Sequence, residues 1–173
     1  MGANEFWTNS DGLNVRFGLE KGAAVKQGHL STMGDEKQAV FTITGTDLTS
    51  SDAVLETHPS VGIPDGAHII SATLYVTTAF TSGGSATLTI GLMHDDGDGT
   101  FSVLDADGID ATIALTAIDA IGDHVACDGA LVGSAAAAIA GTGDRPVYVS
   151  AKYATAAFTA GVAELVIKYR DQN

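Results

Sequence analysis

Apolar and polar residues alternate in short runs along most of this chain, and glycine-rich or polar breaks separate the runs. Over Gln38–Thr46, Ala39, Phe41 and Ile43 fall on one side of an extended backbone, and Val40, Thr42 and Thr44 on the other. A period of two is the mark of a strand with one buried face. His68–Phe80 has the clearest pattern, with Ile70, Ala72, Leu74 and Val76 set against Ile69, Ser71, Thr73, Tyr75 and Thr77. After Ser82-Gly83-Gly84, the residues Ala86, Leu88, Ile90 and Leu92 alternate with Thr87, Thr89 and Gly91. The two apolar faces agree in register, and this predicts a hairpin. Val147, Val149, Ala151 and Tyr153, then Ala163, Leu165, Ile167 and Tyr169, repeat the logic around the break ATAAFTAG.

The remaining segments are less regular. In the polar stretch 47–66, Ser51 or Asp52 is placed to cap one short helical turn before Pro59. Asp110–Ile121 leaves two readings open: its alanines and Asp110 as a cap favour a helix, and Ile113, Leu115 and Ala117 fit a strand. SAAAAIAG at 134–141 reads as a loop or a single helical turn. Short strands with Thr-rich outer faces and glycine turns predict an all-β fold, a single β-sandwich or jelly-roll-like domain over 37–173.

Residues 1–36 read as a separate N-terminal arm. Leu13, Val15 and Phe17 alternate briefly, and Phe6, Trp7 and Phe17 stand among polar residues and glycines. Three readings are open: a frayed arm, one that orders on a neighbour, or one that packs on its own domain, for example with Leu13–Phe17 as an edge strand. Aromatic rings are costly to leave in water and act as interface anchors. The candidate partner-binding residues are therefore Phe6, Trp7, Arg16, Phe17, Lys21 and Lys26.

Charge sharpens this division. Between Gln38 and Asp144 there is no Lys or Arg, yet fourteen of the 21 acidic residues lie there. The basic residues are Arg16, Lys21, Lys26 and Lys37 before that span and Arg145, Lys152, Lys168 and Arg170 after it. A net charge of −13 over 173 residues disfavours nucleic-acid binding, which needs cations for phosphates. A hydrophobic share of 45% with 17% charged residues is that of a chain with a packed core. MGANEFW has neither the basic nor the apolar region of a signal peptide, and no apolar run reaches membrane-spanning length. The chain is expected to be soluble as made. Cys127 has no partner for an intramolecular disulfide, which suits a reducing cytosol.

Candidate chemistry is sparse. The loop Asp95–Thr100, with Asp105, Asp107 and Asp110 after it, offers oxygen ligands for a hard cation. It fits an EF-hand loop poorly, and Asp and Gly are also the residues that exposed turns favour. His29, His58, His68, His94 and His124 show no paired ligand spacing, and His124 with Cys127 is half a zinc site. No nucleophile elbow, P-loop or dinucleotide fingerprint is present. The expectation is no catalytic residue, no metal and no cofactor, hence no enzyme.

The segment IPDGAHIISATLYVTTAFTSGGSATLTIGL (Ile63–Leu92) resembles a recurring pattern in structural proteins of tailed bacteriophages, particularly small virion proteins of marine phages. DGALVG (Asp128–Gly133) and the closing RPVYVSAKY…AFTAGVAELVIKY (Arg145–Tyr169) resemble the same family, so the likeness spans about two-thirds of the chain and leaves out the arm. It implies a virion structural protein of the capsid decoration (cement) type, on the capsid exterior. It further implies the major capsid protein as partner, a homotrimer, and synthesis in the host cytoplasm. A carbohydrate- or receptor-binding sandwich of a tail or fibre, with calcium in the Asp95–Asp110 loop, is the second class. A sandwich hydrolase is the third.

Overall fold

The computed structural model describes residues 5–8, 14–17, 36–55, 62–64, 66–97, 100–133 and 147–170, the first two stretches by backbone alone. Among the described residues ten strands run in chain order: β1 (Glu5–Thr8), β2 (Asn14–Phe17), β3 (Glu36–Thr44), β4 (Ala53–Val54), β5 (His68–Ser82), β6 (Thr87–Asp95), β7 (Phe101–Ala114), β8 (His124–Ala126), β9 (Val147–Ala154) and β10 (Phe158–Arg170). No α-helix occurs among the described residues. The chain divides into two compact units, Met1–Glu36 and Lys37–Asn173.

In the second unit the strands form two four-stranded antiparallel sheets, ordered β3-β10-β5-β8 and β4-β9-β6-β7. The fold is all-β and consistent with a β-sandwich. The expected inward residues fill the space between the sheets. Ile43, Leu74, Leu165 and Ile167 from the first and Leu88, Ile90, Leu92 and Val147 from the second are all at 0% exposure. Burying each such side chain is worth about 1.5–3 kcal/mol.

The strands pair differently from the expected hairpins. β5 lies in the first sheet and β6 in the second, and β10 and β9 divide in the same way. Each connection is an arch from one sheet to the other. β5 pairs with β10, with Leu74 opposite Leu165, and β6 pairs with β9, with Ile90 opposite Ala151. The arches lie side by side, joined by Thr81 Oγ1 to Thr159 Oγ1 at 2.8 Å and by Ser82 Oγ donating to the Ala157 carbonyl at 2.7 Å. Two apolar faces that agree in register meet across a sandwich as well as beside one another in a hairpin, so alternation alone does not choose between them.

Local corrections follow from bulges and edges. Ile69, not Ile70, is fully buried, because Lys168 pairs with Ser71 and Tyr169 with Ile69, which leaves Ile70 as an extra residue. No helical turn is capped by Ser51 or Asp52; Ala53–Val54 instead pairs with Ser150–Ala151 of β9. Of the two readings for 110–121, the strand holds to Ala114, and a 3-10 turn covers Leu115–Ala117. Residues 134–141 lie outside the described residues.

Cys127–Gly133 laces the sheets together along one side. Cys127 and Gly133 donate N–H bonds to the Ala72 and Ile69 carbonyls of β5, at 3.0 and 3.1 Å. Gly129 and Leu131 donate to Ile109 and Gly108 of β7, each at 2.9 Å. Backbone groups beyond the three-residue β8 thus gain partners, which protects a sheet edge.

In the first unit, β1 and β2 form an antiparallel two-stranded sheet of their own. The expected extension is seen over Asn14–Phe17, with β1 as its partner, and Leu13 lies outside the described residues.

Candidate functional site

Of the six residues expected to meet a partner, Phe6 and Trp7 lie in β1 and Arg16 and Phe17 in β2. The register sets Phe6 opposite Arg16, Trp7 opposite Val15 and Glu5 opposite Phe17. Lys21 and Lys26 lie outside the described residues, as do Ala135–Ala138, an alanine run suited to self-packing. Ala156 packs partly buried against the core at the second arch.

Of the aspartate loop after β6, Asp98 and Gly99 lie outside the described residues, and the flanking carboxylates make turn bonds. Asp95 Oδ1 accepts the Gly97 N–H at 2.6 Å, and Asp96 Oδ2 accepts Ser102 Oγ at 2.6 Å and Thr100 Oγ1 at 3.3 Å. The other Asp96 oxygen lies 2.9 Å from His94 Nε2. Asp105 and Asp110 belong to the strand, opposite Leu92 and Ile90. Among the described residues, no group of three His, Cys, Asp or Glu side chains is arranged to hold a metal ion.

Asp110 is buried, and its carboxylate accepts the Thr112 N–H at 3.0 Å. Burial raises its pKa above the ordinary 3.8, the nearby Asp128 charge adds to the rise, and backbone N–H bonds from Thr112 and Asp128 oppose it. Burial likewise pushes the Cys127 thiol up to about 12, with Asp110 and Asp128 contributing. A thiol held so far above neutrality is not a nucleophile at physiological pH. Cys127 belongs to the core cluster, whereas His124 is exposed with its ring stacked on Tyr75 at 6.4 Å.

A cleft of about 350 Å³ opens beside β3 and the 47–55 segment, lined by Thr42, Thr44, Asp47, Leu48, Thr49 and Val54 among others. Among the described residues, no aromatic ring lines it. It lacks the platform that a sugar ring stacks on.

The outward faces of the two sheets differ. On the first sheet, Val40 and Tyr75 are 39% and 46% exposed, with half-buried Val166 on the same face. Lys168 and Arg170 of β10 are exposed there, alongside Glu164. On the second sheet, Phe101 and Val103 are 41% and 46% exposed. The Phe101 ring meets Tyr148 edge-to-face at 5.3 Å, and Met93 lies between Val103 and Tyr148. Asp95, opposite Phe101, borders this cluster, whereas Asp105 lies past the bulge opposite the core residue Leu92, with Asp107 beside it. Val40 and Tyr75 were visible in the sequence as apolar residues at outward positions. The Phe101 cluster is hidden in the sequence because 95–110 reads as an aspartate loop, and a strand is only one of two readings from Asp110 on.

No protein-family model matches the chain, and no curated protein matches it. Among solved structures it is similar to a chain in the acidic stable capsid structure of Helicobacter pylori bacteriophage KHP30. The identity is 16% and the TM-score 0.48, with 80% of this chain and 89% of that chain covered. It is also similar to a chain in the capsid asymmetric unit of cyanophage Pam1, at 19% identity and a TM-score of 0.44, covering 80% of this chain and 86% of that one. Both are phage capsid structures.

Proposed function

We propose that this chain is a non-enzymatic structural protein of a tailed-phage virion, of the capsid decoration (cement) type. In this reading it is made in the host cytoplasm and binds the major capsid protein on the exterior of the head as a homotrimer, where it stabilises the lattice. The supporting observation is where the phage-like residue pattern falls. Ile63–Leu92 runs from the Ile63–Val147 bridge through β5 and β6, which are interior strands of their sheets. The resemblance therefore covers the centre of the sandwich and not a variable loop. A cement protein also needs a well-packed, soluble body with contact surfaces, and the filled core and net charge of −13 suit that. The glycan-binding alternative draws less support, since Asp95 and Asp96 engage their carboxylates in turn bonds and no ring among the described residues lines the cleft.

In this reading β1 and β2 carry the docking residues, with Phe6, Trp7 and Phe17 as anchors and Arg16, Lys21 and Lys26 setting orientation and encounter rate. Trp7→Ala is expected to weaken binding to particles stripped of the protein by about 2 kcal/mol with an unchanged melting temperature. Neutralising Lys21 and Lys26 is expected to slow association more than it speeds release. Electron microscopy of intact particles provides the location. A head lattice without this density, or Trp7→Ala binding like the wild type, would falsify the respective part of the proposal.

A further inference from the structure

Cys127–Gly133 spans from β5 to β7 with little burial of its own. Asp128, Ala130 and Gly133 are exposed, and Leu131 and Val132 are half-buried. The N–H groups of Cys127, Gly129, Leu131 and Gly133 bond to carbonyls of the two strands, and the close packing rests on two residues. Gly129 lies on the β7 backbone, where a methyl group would collide with Gly108 and Ile109, and Leu131 lies over Gly108 beside the Asp105 carboxyl. Segments with few buried apolar contacts and solvent-facing backbone bonds open at free energies well below that of global unfolding.

Like charges meet at this seam. The Asp110 carboxylate, 4% exposed in β7, accepts the Asp128 N–H and so faces the segment. The Asp128 carboxylate stands near it, and the buried Cys127 thiol lies beside both. The β5 residues spanned, Ile69–Leu74, carry no charge, and Ile90 of β6 lies opposite Asp110. His124 of β8 is exposed and stacked on Tyr75. Two carboxylates held together away from water favour any arrangement that separates and rehydrates them.

We propose that Cys127–Gly133 is a strap that opens as one unit while the sandwich stays folded, and that the facing carboxylates of Asp110 and Asp128 set how often it opens. Opening uncovers the Cys127 thiol and the β5 and β7 edges that the strap protects. The device belongs to the soluble chain and does not depend on a place in a virion.

Alkylation of Cys127 by N-ethylmaleimide in the full-length protein reads the opening, because this is the one thiol of the chain and it reacts once it reaches water. The rate is expected to exceed that set by global unfolding and to change little with low urea, since a local opening uncovers little surface. Hydrogen exchange under native conditions is expected to give the Cys127, Gly129, Leu131 and Gly133 amides one common opening free energy, below that of the β5–β10 ladder. Gly129→Ala pushes the strap off β7 and is expected to raise alkylation about tenfold or more, with circular dichroism confirming a folded sandwich. Asp110→Asn and Asp128→Asn each remove one of the facing charges. At a fixed neutral pH each is expected to slow alkylation about threefold or more. The inference is overturned by alkylation that tracks global unfolding with the same urea dependence, or by strap amides that exchange independently of one another. Asn variants alkylated as fast as the wild type, or a folded Gly129→Ala protein no more reactive than it, would overturn it equally.

Discussion

At Gly91 the bulged part of β7 crosses so closely that a methyl group would collide with the carbonyl oxygens of Asp105 and Ala106. Backbone atoms do not swing aside as a flexible side chain does. The pairing shows why the approach is so near: Leu92 sits opposite Asp105 and Ile90 opposite Asp110, so β7 spends extra residues over two positions of β6. Only glycine leaves room for that excursion. Gly91→Ala is therefore expected to cost about 3 kcal/mol, the upper range for overpacking, against a total stability of about 5–15 kcal/mol. A urea midpoint within error of the wild type would count against this account. Gly161 is constrained in a second way. Its φ of 130° is left-handed, and a side chain there would run into the Phe80 ring, which packs edge-on against Phe158 at 5.2 Å. The sequence displayed both glycines without their reasons, because close approach is a property of the paired strand and not of the glycine's neighbours in the chain.

Among the elements, the arches decide the architecture, and they mark the limit of what the residue pattern conveyed. Ala39, Phe41 and Ile43 of β3, Leu74 and Val76 of β5, and Leu165 and Ile167 of β10 are buried as their alternation foretold. Alternation reports which face meets the core, however, and the partner along the edge is left open. The β5–β6 and β9–β10 connections read as hairpins in the sequence for that reason. Turn conformation carries part of the missing information. Thr155, just after β9, has φ of 70°, which a β-branched residue adopts at a cost of about 1–2 kcal/mol. The arch holds it there through the Ala156 N–H donating to the Ala154 carbonyl at 2.8 Å. Thr155→Gly relieves the strain and adds some unfolded-state entropy, so the expected net gain is about 0.5–1 kcal/mol. Chemical denaturation would reveal it, and a loss of stability would mean that the Thr155 side chain contributes contacts that outweigh its backbone strain.

Across the whole molecule, charge was the most legible property and its consequences the least. The sequence displayed an acidic middle flanked by cations, but folding brings Lys168 and Arg170 to one outward face beside Glu36 and Glu164, and Asp95 beside Phe101 to the outward face of the other sheet, through pairings that no single strand announces. Folding also buries Asp110 and partly buries Asp105, and burial is the main cause of the raised pKa of each. Asp107 adds to the rise at Asp105, and Asp128 to that at Asp110. The folded chain therefore holds these two protons more tightly than the unfolded chain, whose carboxyls titrate near the ordinary 3.8. Ionising them costs stability, and that cost is present in full at neutral pH. It is removed as the pH falls through the raised values, and the gain is complete once the pH reaches the unfolded value. The melting temperature is thus expected to rise from neutral to mildly acid solution, against the usual trend for surface-paired carboxylates. Acidification also lowers the net charge of −13 and with it the general self-repulsion, so the two effects must be separated. High salt screens repulsion between exposed charges but leaves the desolvation of a buried carboxylate in place. Asp110→Asn keeps an oxygen for the Thr112 N–H and removes the ionisation. It is expected to melt a few degrees above the wild type at neutral pH, to converge with it in acid, and to keep that difference in high salt. Calorimetry of both proteins over the same pH range decides the matter, and a variant that melts below the wild type at neutral pH would mean that the ionised carboxylate stabilises the fold.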